Sequence, residues 1–409
     1  MTSPPIRYLV ASPSGDVPVD EGKLDYPLEG DPSKTSYRTY FQAITDFLRG
    51  MPLPQVVHAL REHMGVDLHP ANLVEIIVRS EKHGALSHPA SIELVARDGR
   101  IKLGLHVAVT AEGKNSVHKE FDLLTLLHRR FGYPYVPRPL YVDERHSMAF
   151  LLEEWFDDFH EFHTAKTADN EQRLKLWDYV RGERFLNSEQ AFEIYRRAAE
   201  ILTLYYDLGN FTMIYPWHHA AGDFVAKIED SPHSPASPLR KDAPFRDLSG
   251  RGSALKAPSL GTGDKSGLSE GVQVRLTTVR GYEPFMGFDE DDVVSPILPL
   301  YYFLLHLTIQ MRLDKIDGLG ETVWAEEFSA DATVKGFFEA LGRRHDATMH
   351  MDSVRSFKEL LRSFSREELL KTSRLIAEQL RPTTDYRTIE EHLEEHAARL
   401  YLTFQNFPK

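Results

Sequence analysis

The chain has 409 residues, with 48 Lys and Arg against 61 Asp and Glu, so its formal net charge is −13; hydrophobic residues make up 42% and charged residues 27%. This is the profile of a soluble globular chain long enough for two lobes, and its negative field argues against nucleic acid and anionic membrane as partners. There is no cysteine, which excludes disulfides, thiolate zinc sites and a thiol nucleophile.

Residues 1–35 are rich in Pro, Gly, Asp and Ser without a sustained period, and are expected to be disordered or a loosely docked tail. Their opening, MTSPPIRYLVASPSGD, has no basic stretch followed by an apolar one, so no signal peptide is expected and the expected location is cytoplasmic. Residues 36–75 hold two helical patterns, SYRTYFQAITDFLRG and QVVHALREHMG, separated by a Met-Pro-Leu-Pro break.

From LVEIIVRS onward the period changes to that of strands. SIELVARDGRIKLGLHVAVT is two β-rich runs joined by Asp98-Gly99, a hairpin signal. VHKEFDLLTLLHRRFG is an amphipathic helix closed by Gly132. VPRPLYVDERHSMAFLLEEWF reads as two more strands around a polar turn at Asp143-Glu144-Arg145. The order is three strands, a helix and two strands.

Helical periodicity is expected next, in NEQRLKLWDYV and SEQAFEIYRRAAEILTLYYDLG. MIYPWHHAAGDFVAKIE follows, its last part a short strand. Residues 230–270 have the composition of a disordered insertion. VQVRLTTVRGYEP is a β-run, and from Asp291 the chain reads as helical. The longest apolar stretch, Val293 to Met311, contains two prolines and a His, and is expected to be a buried core helix rather than a membrane span.

This order of elements resembles the protein-kinase-like fold, and within it the aminoglycoside phosphotransferase and choline kinase group. The resemblance covers residues 76 to about 320. It implies a two-lobed α+β structure, with a small β-rich N-lobe at 76–155 and a large helical C-lobe at 156–409. The family's catalytic loop, His-Gly-Asp-x-His-x-x-Asn, is matched by PWHHAAGDFV. On that match Asp223 takes the place of the metal-binding Asn, and His218 stands where the catalytic Asp would be. The family's second metal motif, Ile-Asp-x-Glu, aligns with RGYEP, which puts Gly281 at the Asp and leaves Glu283 as a possible ligand.

Glu120 would be the glutamate of the small-lobe helix. Lys102 is a candidate for the third-strand lysine, although the usual spacing falls on Leu105 or His106. Ser87, beside the lone Gly84 of KHGALSHPAS, would contact phosphate, and Trp155, Phe156 and Phe159 would flank an adenine ring. The implied cofactors are ATP and Mg²⁺.

Each of these residues also has a plainer reading. His218 and His219 can pack under the helical lobe or bond the loop backbone; they can also form part of a transition-metal site. Asp223 can cap a turn, Glu120 can form an ion pair with Lys102, and the aromatics can be core. FDDFHEFH can attract a cationic substrate or be a solvated helix start.

Three functions are therefore open. One is an ATP- and metal-dependent phosphotransferase acting on a small-molecule hydroxyl through an altered site. The second is a pseudokinase that binds a protein partner. The third is a metal-dependent hydrolase or other transferase using the same cleft.

Overall fold

The computed structural model describes residues 4–12, 15–66, 68–81, 87–97, 99–178, 181–219, 222–229, 271–285, 296–344 and 351–407. The described chain divides into two units: residues 1–126 with 137–157, and residues 127–136 with 158–229 and 269–409. The architecture is α+β, β-rich towards the N-terminus and helical towards the C-terminus. The insertion expected at 230–270, Gly84 and Asp98 lie outside the described residues.

The first unit holds β1 (Ile6–Val10), β2 (Val17–Pro18), α1 (Tyr37–Gly50), α2 (Leu53–Met64), β3 (Leu73–Ser80), β4 (Ala90–Ala96), β5 (Gly99–Ala108), α3 (Ala111–Arg130, its last turn belonging to the second unit), β6 (Pro139–Arg145) and β7 (Met148–Glu154). They form a seven-stranded sheet in the order β2-β1-β3-β4-β5-β7-β6. Alternation of side chains assigns the two faces. Ile101, Leu103, Leu105 and Val107 of β5 join Ile92, Leu94 and Phe150 in a core with Tyr40, Ile44 and Phe47 of α1 and Val56 and Leu60 of α2. Lys102, Gly104 and His106 alternate with them and lie on the other face.

Two expectations are corrected here. Residues 1–35 are not a loose tail: β1 pairs in parallel with β3, and Leu9 and Leu28 are buried. The Pro- and Gly-rich surroundings hid a five-residue strand, IRYLV, whose partner is remote in sequence. The turn between β6 and β7 falls at His146 and Ser147, both at positive φ, rather than at residues 143–145, which continue the strand. The helix ending before Gly132 is present, with that glycine at φ +68°.

The second unit starts with a meander, β8 (His160–Lys166), β9 (Gln172–Asp178) and β10 (Gly182–Phe185). The helix expected over NEQRLKLWDYV is therefore a strand. Leu174 and Leu176 are buried at a spacing of two, and Asn170, left-handed at φ 64°, helps turn the chain into β9. α4 (Ser188–Leu204) follows, started by a reciprocal capping box between Asn187 and Gln190. After β11 (Thr212–Ile214), the strands β12 (Phe224–Ile228) and β13 (Val272–Leu276) complete a five-stranded sheet, β10-β9-β8-β12-β13; β14 (Tyr282–Pro284) pairs with β11.

α5 (Ile297–Gln310) is buried through most of its length, as its apolar sequence requires. Among the described residues no helix is long and apolar enough to cross a membrane. The hairpin β15 (Leu313–Lys315) and β16 (Thr322–Trp324) precedes α6 (Phe328–Arg343), α7 (Met351–Ser363), α8 (Arg366–Gln379) and α9 (Tyr386–Gln405). α6 lies so close to α4 that a Cβ on Gly336 would stand 2.0 Å from the carbonyl oxygen of Arg196. The Arg196 guanidinium, fully buried, is held by Glu193 and Glu339.

Candidate functional site

The loop between β11 and β12 is organised by Asp223, which is fully buried at the start of β12. Its Oδ2 accepts the backbone N–H of His218 at 2.8 Å. Arg280, after β13, closes a fork on the same carboxylate, Nη2 to Oδ1 at 2.6 Å and Nη1 to Oδ2. A planar guanidinium matches a carboxylate through two parallel bonds, a geometry that gives this pair both strength and direction. The backbone carbonyl of Asp223 accepts the N–H of Thr277 at 2.7 Å, continuing the ladder in which Phe224 pairs with Leu276.

This arrangement tests the metal expected here. Mg²⁺ requires several oxygen ligands in a near-octahedral set. Both oxygens of Asp223 are already used, and the residue opposite it, just after β13, is Thr277, whose hydroxyl bonds the carbonyls of Gly222 and Asp223 at 3.0 and 3.1 Å. Among the described residues no group of three His, Asp or Glu side chains is placed to hold a metal ion. With both oxygens of Asp223 engaged by Arg280 and the His218 N–H, the residues as placed do not fit a Mg²⁺ centre.

Gly281 and Glu283 are corrected by the same geometry. Gly281 does not stand at the strand position facing Asp223. It packs on the loop backbone: its carbonyl accepts the N–H of Tyr215 at 3.1 Å, and a Cβ there would lie 2.3 Å from the Tyr215 oxygen. Glu283 pairs across β14 with Met213 of β11 and is exposed, while its neighbour Tyr282 turns inward and donates its hydroxyl to the Tyr205 carbonyl at 2.8 Å. Adjacent strand residues point to opposite faces, so Glu283 lies on the exposed side of β14.

The two histidines part company, as neighbours on an extended segment do. His219 is buried among the rings of Phe162, Tyr195, Trp217 and Phe224, and its Nε2 lies 3.1 Å from the Met311 sulfur. Burial pushes its pKa down to about 3, so it is a neutral core side chain. His218 is partly exposed, with Nε2 3.8 Å from Oδ2 of Asp385 at the start of α9. The neighbouring His218 holds the Asp385 carboxyl below the usual carboxylate range. His218 thus has a carboxylate nearby without a hydrogen bond to it, and Asp223 meets only its backbone N–H.

Glu161 of β8 also borders this loop. A Cβ on Gly222, which sits at φ +69°, would lie 3.1–3.5 Å from the Glu161 carboxylate group.

In the first unit Lys102 and the other basic side chains on its face of the sheet are paired with nearby acids. Lys102 Nζ lies 3.5 Å from Glu81 and 3.9 Å from the centre of the Trp155 ring. His106 Nε2 faces Glu153 at 3.0 Å. Arg79 on the same face is held by Asp16 and Glu93 at 2.6 Å each. Lys102, His106 and Arg79 each already face a carboxylate, so a triphosphate would have to compete with an acid to be bound there. Glu120 is buried within α3, and Ser87 is half-buried before β4. Phe159 belongs to the second unit, where its ring receives Arg275 at 5.1 Å.

Sequence reasoning missed Arg280, Thr277 and Asp385. Arg280 is separated from Asp223 by 57 positions, and Asp385 carries no motif. Only the register of β12 on β13 would have located the first two.

Removing the carboxylate tests its weight. Asp223→Ala is expected to lower stability by about 2–3 kcal/mol, because it strands the His218 N–H and the Arg280 guanidinium. Asp223→Asn, which keeps an acceptor oxygen, is expected to lose less. Urea unfolding of the two variants checks this; equal losses would mean that the charge carries nothing.

No protein-family model matches the chain, and no curated protein matches it.

Proposed function

We propose that the chain is built on the protein-kinase-like plan and acts as a pseudokinase, a binding module for a protein partner, rather than as a metal-dependent phosphotransferase. Support for the plan comes from topology. Three antiparallel strands, β3, β4 and β5, are followed by the helix α3 and by β6 and β7, with β7 beside β5 in the sheet. In the second unit a long helix, α4, leads to β11, a loop, the β12–β13 hairpin and β14.

The observation that carries the functional reading is the Arg280 fork on Asp223. A guanidinium fixed to that carboxylate brings positive charge without the open coordination positions that phosphoryl transfer requires of its metal. The committed pairs around Lys102 and His106 point the same way.

Calorimetric titration of ATP into the purified protein, with Mg²⁺ and then with EDTA, tests the reading. The expected result is that Mg²⁺ leaves nucleotide affinity unchanged. Metal-dependent binding, or release of ADP in the presence of a hydroxyl substrate, would return the phosphotransferase to first place. Stoichiometric zinc in the purified protein would favour a metal-dependent hydrolase.

A further inference from the structure

A cavity of about 650 Å³ opens between α6, α7 and α9 of the second unit, and none of its lining residues belongs to the Asp223 loop. Its size falls within the range of small-molecule pockets. The apolar lining comes from Val334, Phe338, Leu402 and Phe407. Phe338 and Phe407 meet edge to face with centres 5.0 Å apart, and Leu402 is 54% exposed, a large apolar side chain left at the rim.

The charges around the cavity do not cancel. Asp331 is taken by Arg399 and by the Thr403 hydroxyl at 2.6 Å. Glu339 shares the buried Arg196 with Glu193 and also lies within 4.0 Å of Lys335. Among the described lining residues three cations, Lys335, Lys358 and Arg399, stand against two acids, Asp331 and Glu339, an excess of one positive charge. Lys358 lies over the rings of Phe338 and Phe407 at 4.9 and 5.7 Å. Lys335 lies 5.5 Å from the centre of the Phe192 ring and only within 4.0 Å of Glu339, whose carboxylate already serves Arg196. An apolar chamber with aromatic walls and two ammonium groups is complementary to a ligand with an apolar body and one anionic end.

We propose that this cavity binds a small anionic amphiphile, a carboxylate carrying an extended apolar tail, with Lys335 and Lys358 meeting the carboxylate and Phe338, Leu402 and Phe407 enclosing the tail. The site is independent of the reading of the Asp223 loop, and either can fail without the other.

The test uses the full chain and dodecanoate below its micellar concentration, followed by titration calorimetry. Saturable one-to-one binding is expected. Lys335→Gln combined with Lys358→Gln should weaken it by about tenfold or more, and dodecyltrimethylammonium should not bind. Leu402→Trp, a change at an exposed rim position, should fill the chamber and abolish binding. Absence of dodecanoate binding by the parent overturns the proposal. So does equal binding of the cationic amphiphile, or a folded double-lysine variant that binds as the parent does. The lysine variants alter surface side chains and keep the test decisive if Leu402→Trp fails to fold.

Discussion

Gly336→Ala is expected to destabilise the protein by about 3 kcal/mol or more, the upper end of overpacking effects. In an ordinary helix the same change would stabilise, since alanine loses less backbone entropy than glycine. Here the added carbon would lie 2.0 Å from the Arg196 carbonyl oxygen, 2.9 Å from its carbon and 3.1 Å from the Glu200 nitrogen. All three are backbone atoms of α4, so no side chain can swing away and the two helices must separate. Separation would also loosen Glu339 of α6 from the buried Arg196, and Arg343 from Glu200. Gly342 of the same helix provides the control, because nothing lies within 4 Å of a Cβ placed there. Gly342→Ala is expected to be neutral or to stabilise by up to about 1 kcal/mol. Denaturant midpoints of the two variants should therefore move in opposite directions; a shared direction would show that the close approach of α4 and α6 is not what selects Gly336.

Mild acid is expected to unfold the protein steeply, through three histidines buried in the neutral state. His219, His306 and His396 each have a pKa lowered from 6.5 to about 3, in every case chiefly by burial. His306 packs against the rings of Phe285 and Tyr215, and His396 bonds the Thr308 hydroxyl at 3.2 Å. The unfolded chain takes up protons on these groups below pH 6.5, whereas the folded chain takes them up only near pH 3. Their contribution to stability is complete above 6.5 and is lost as the pH falls from there towards 3. Each adds a slope of up to about 1.4 kcal/mol per pH unit, so three together approach about 4 kcal/mol per unit. That is enough to exhaust an ordinary folding free energy of about 5–15 kcal/mol within a few units. Urea midpoints measured from pH 7 to pH 4 give the slope. His306→Phe places another ring in an aromatic setting and should reduce that slope by about a third. An unchanged slope in a folded variant would mean that His306 is not a neutral buried group.

Much of the element order was legible because it rests on short-range patterns. The hairpin strands β4 and β5, the amphipathic α3 with Gly132 behind it, the short strand of Phe224–Ile228 and the burial of α5 each announce themselves within about twenty residues, through period and turn chemistry. The misreadings have a common origin. β1 looked like tail because its partner β3 lies beyond two helices. β9 looked like helix because seven residues with two buried leucines satisfy either period until a neighbouring strand decides between them.

The candidate site was legible only as a location. The sequence by itself drew attention to PWHHAAGDFV and to RGYEP, and it determined that a short apolar strand follows Asp223. It did not determine what Asp223 meets. That choice between a metal ligand and an ion-pair partner rests on the register of β12 against β13, which sets Thr277 opposite Asp223 and brings Arg280, 57 positions away, onto its carboxylate. The neutral state of His219 was likewise decided by the rings that surround it. Likewise the ion pairs that Asp331 and Glu339 make beside the cavity were decided by how α4, α6 and α9 pack. Period and turn signals are local, because backbone geometry repeats within a few residues. The charge state and partners of a buried group depend on everything that excludes water from it, and only the assembled tertiary structure supplies that.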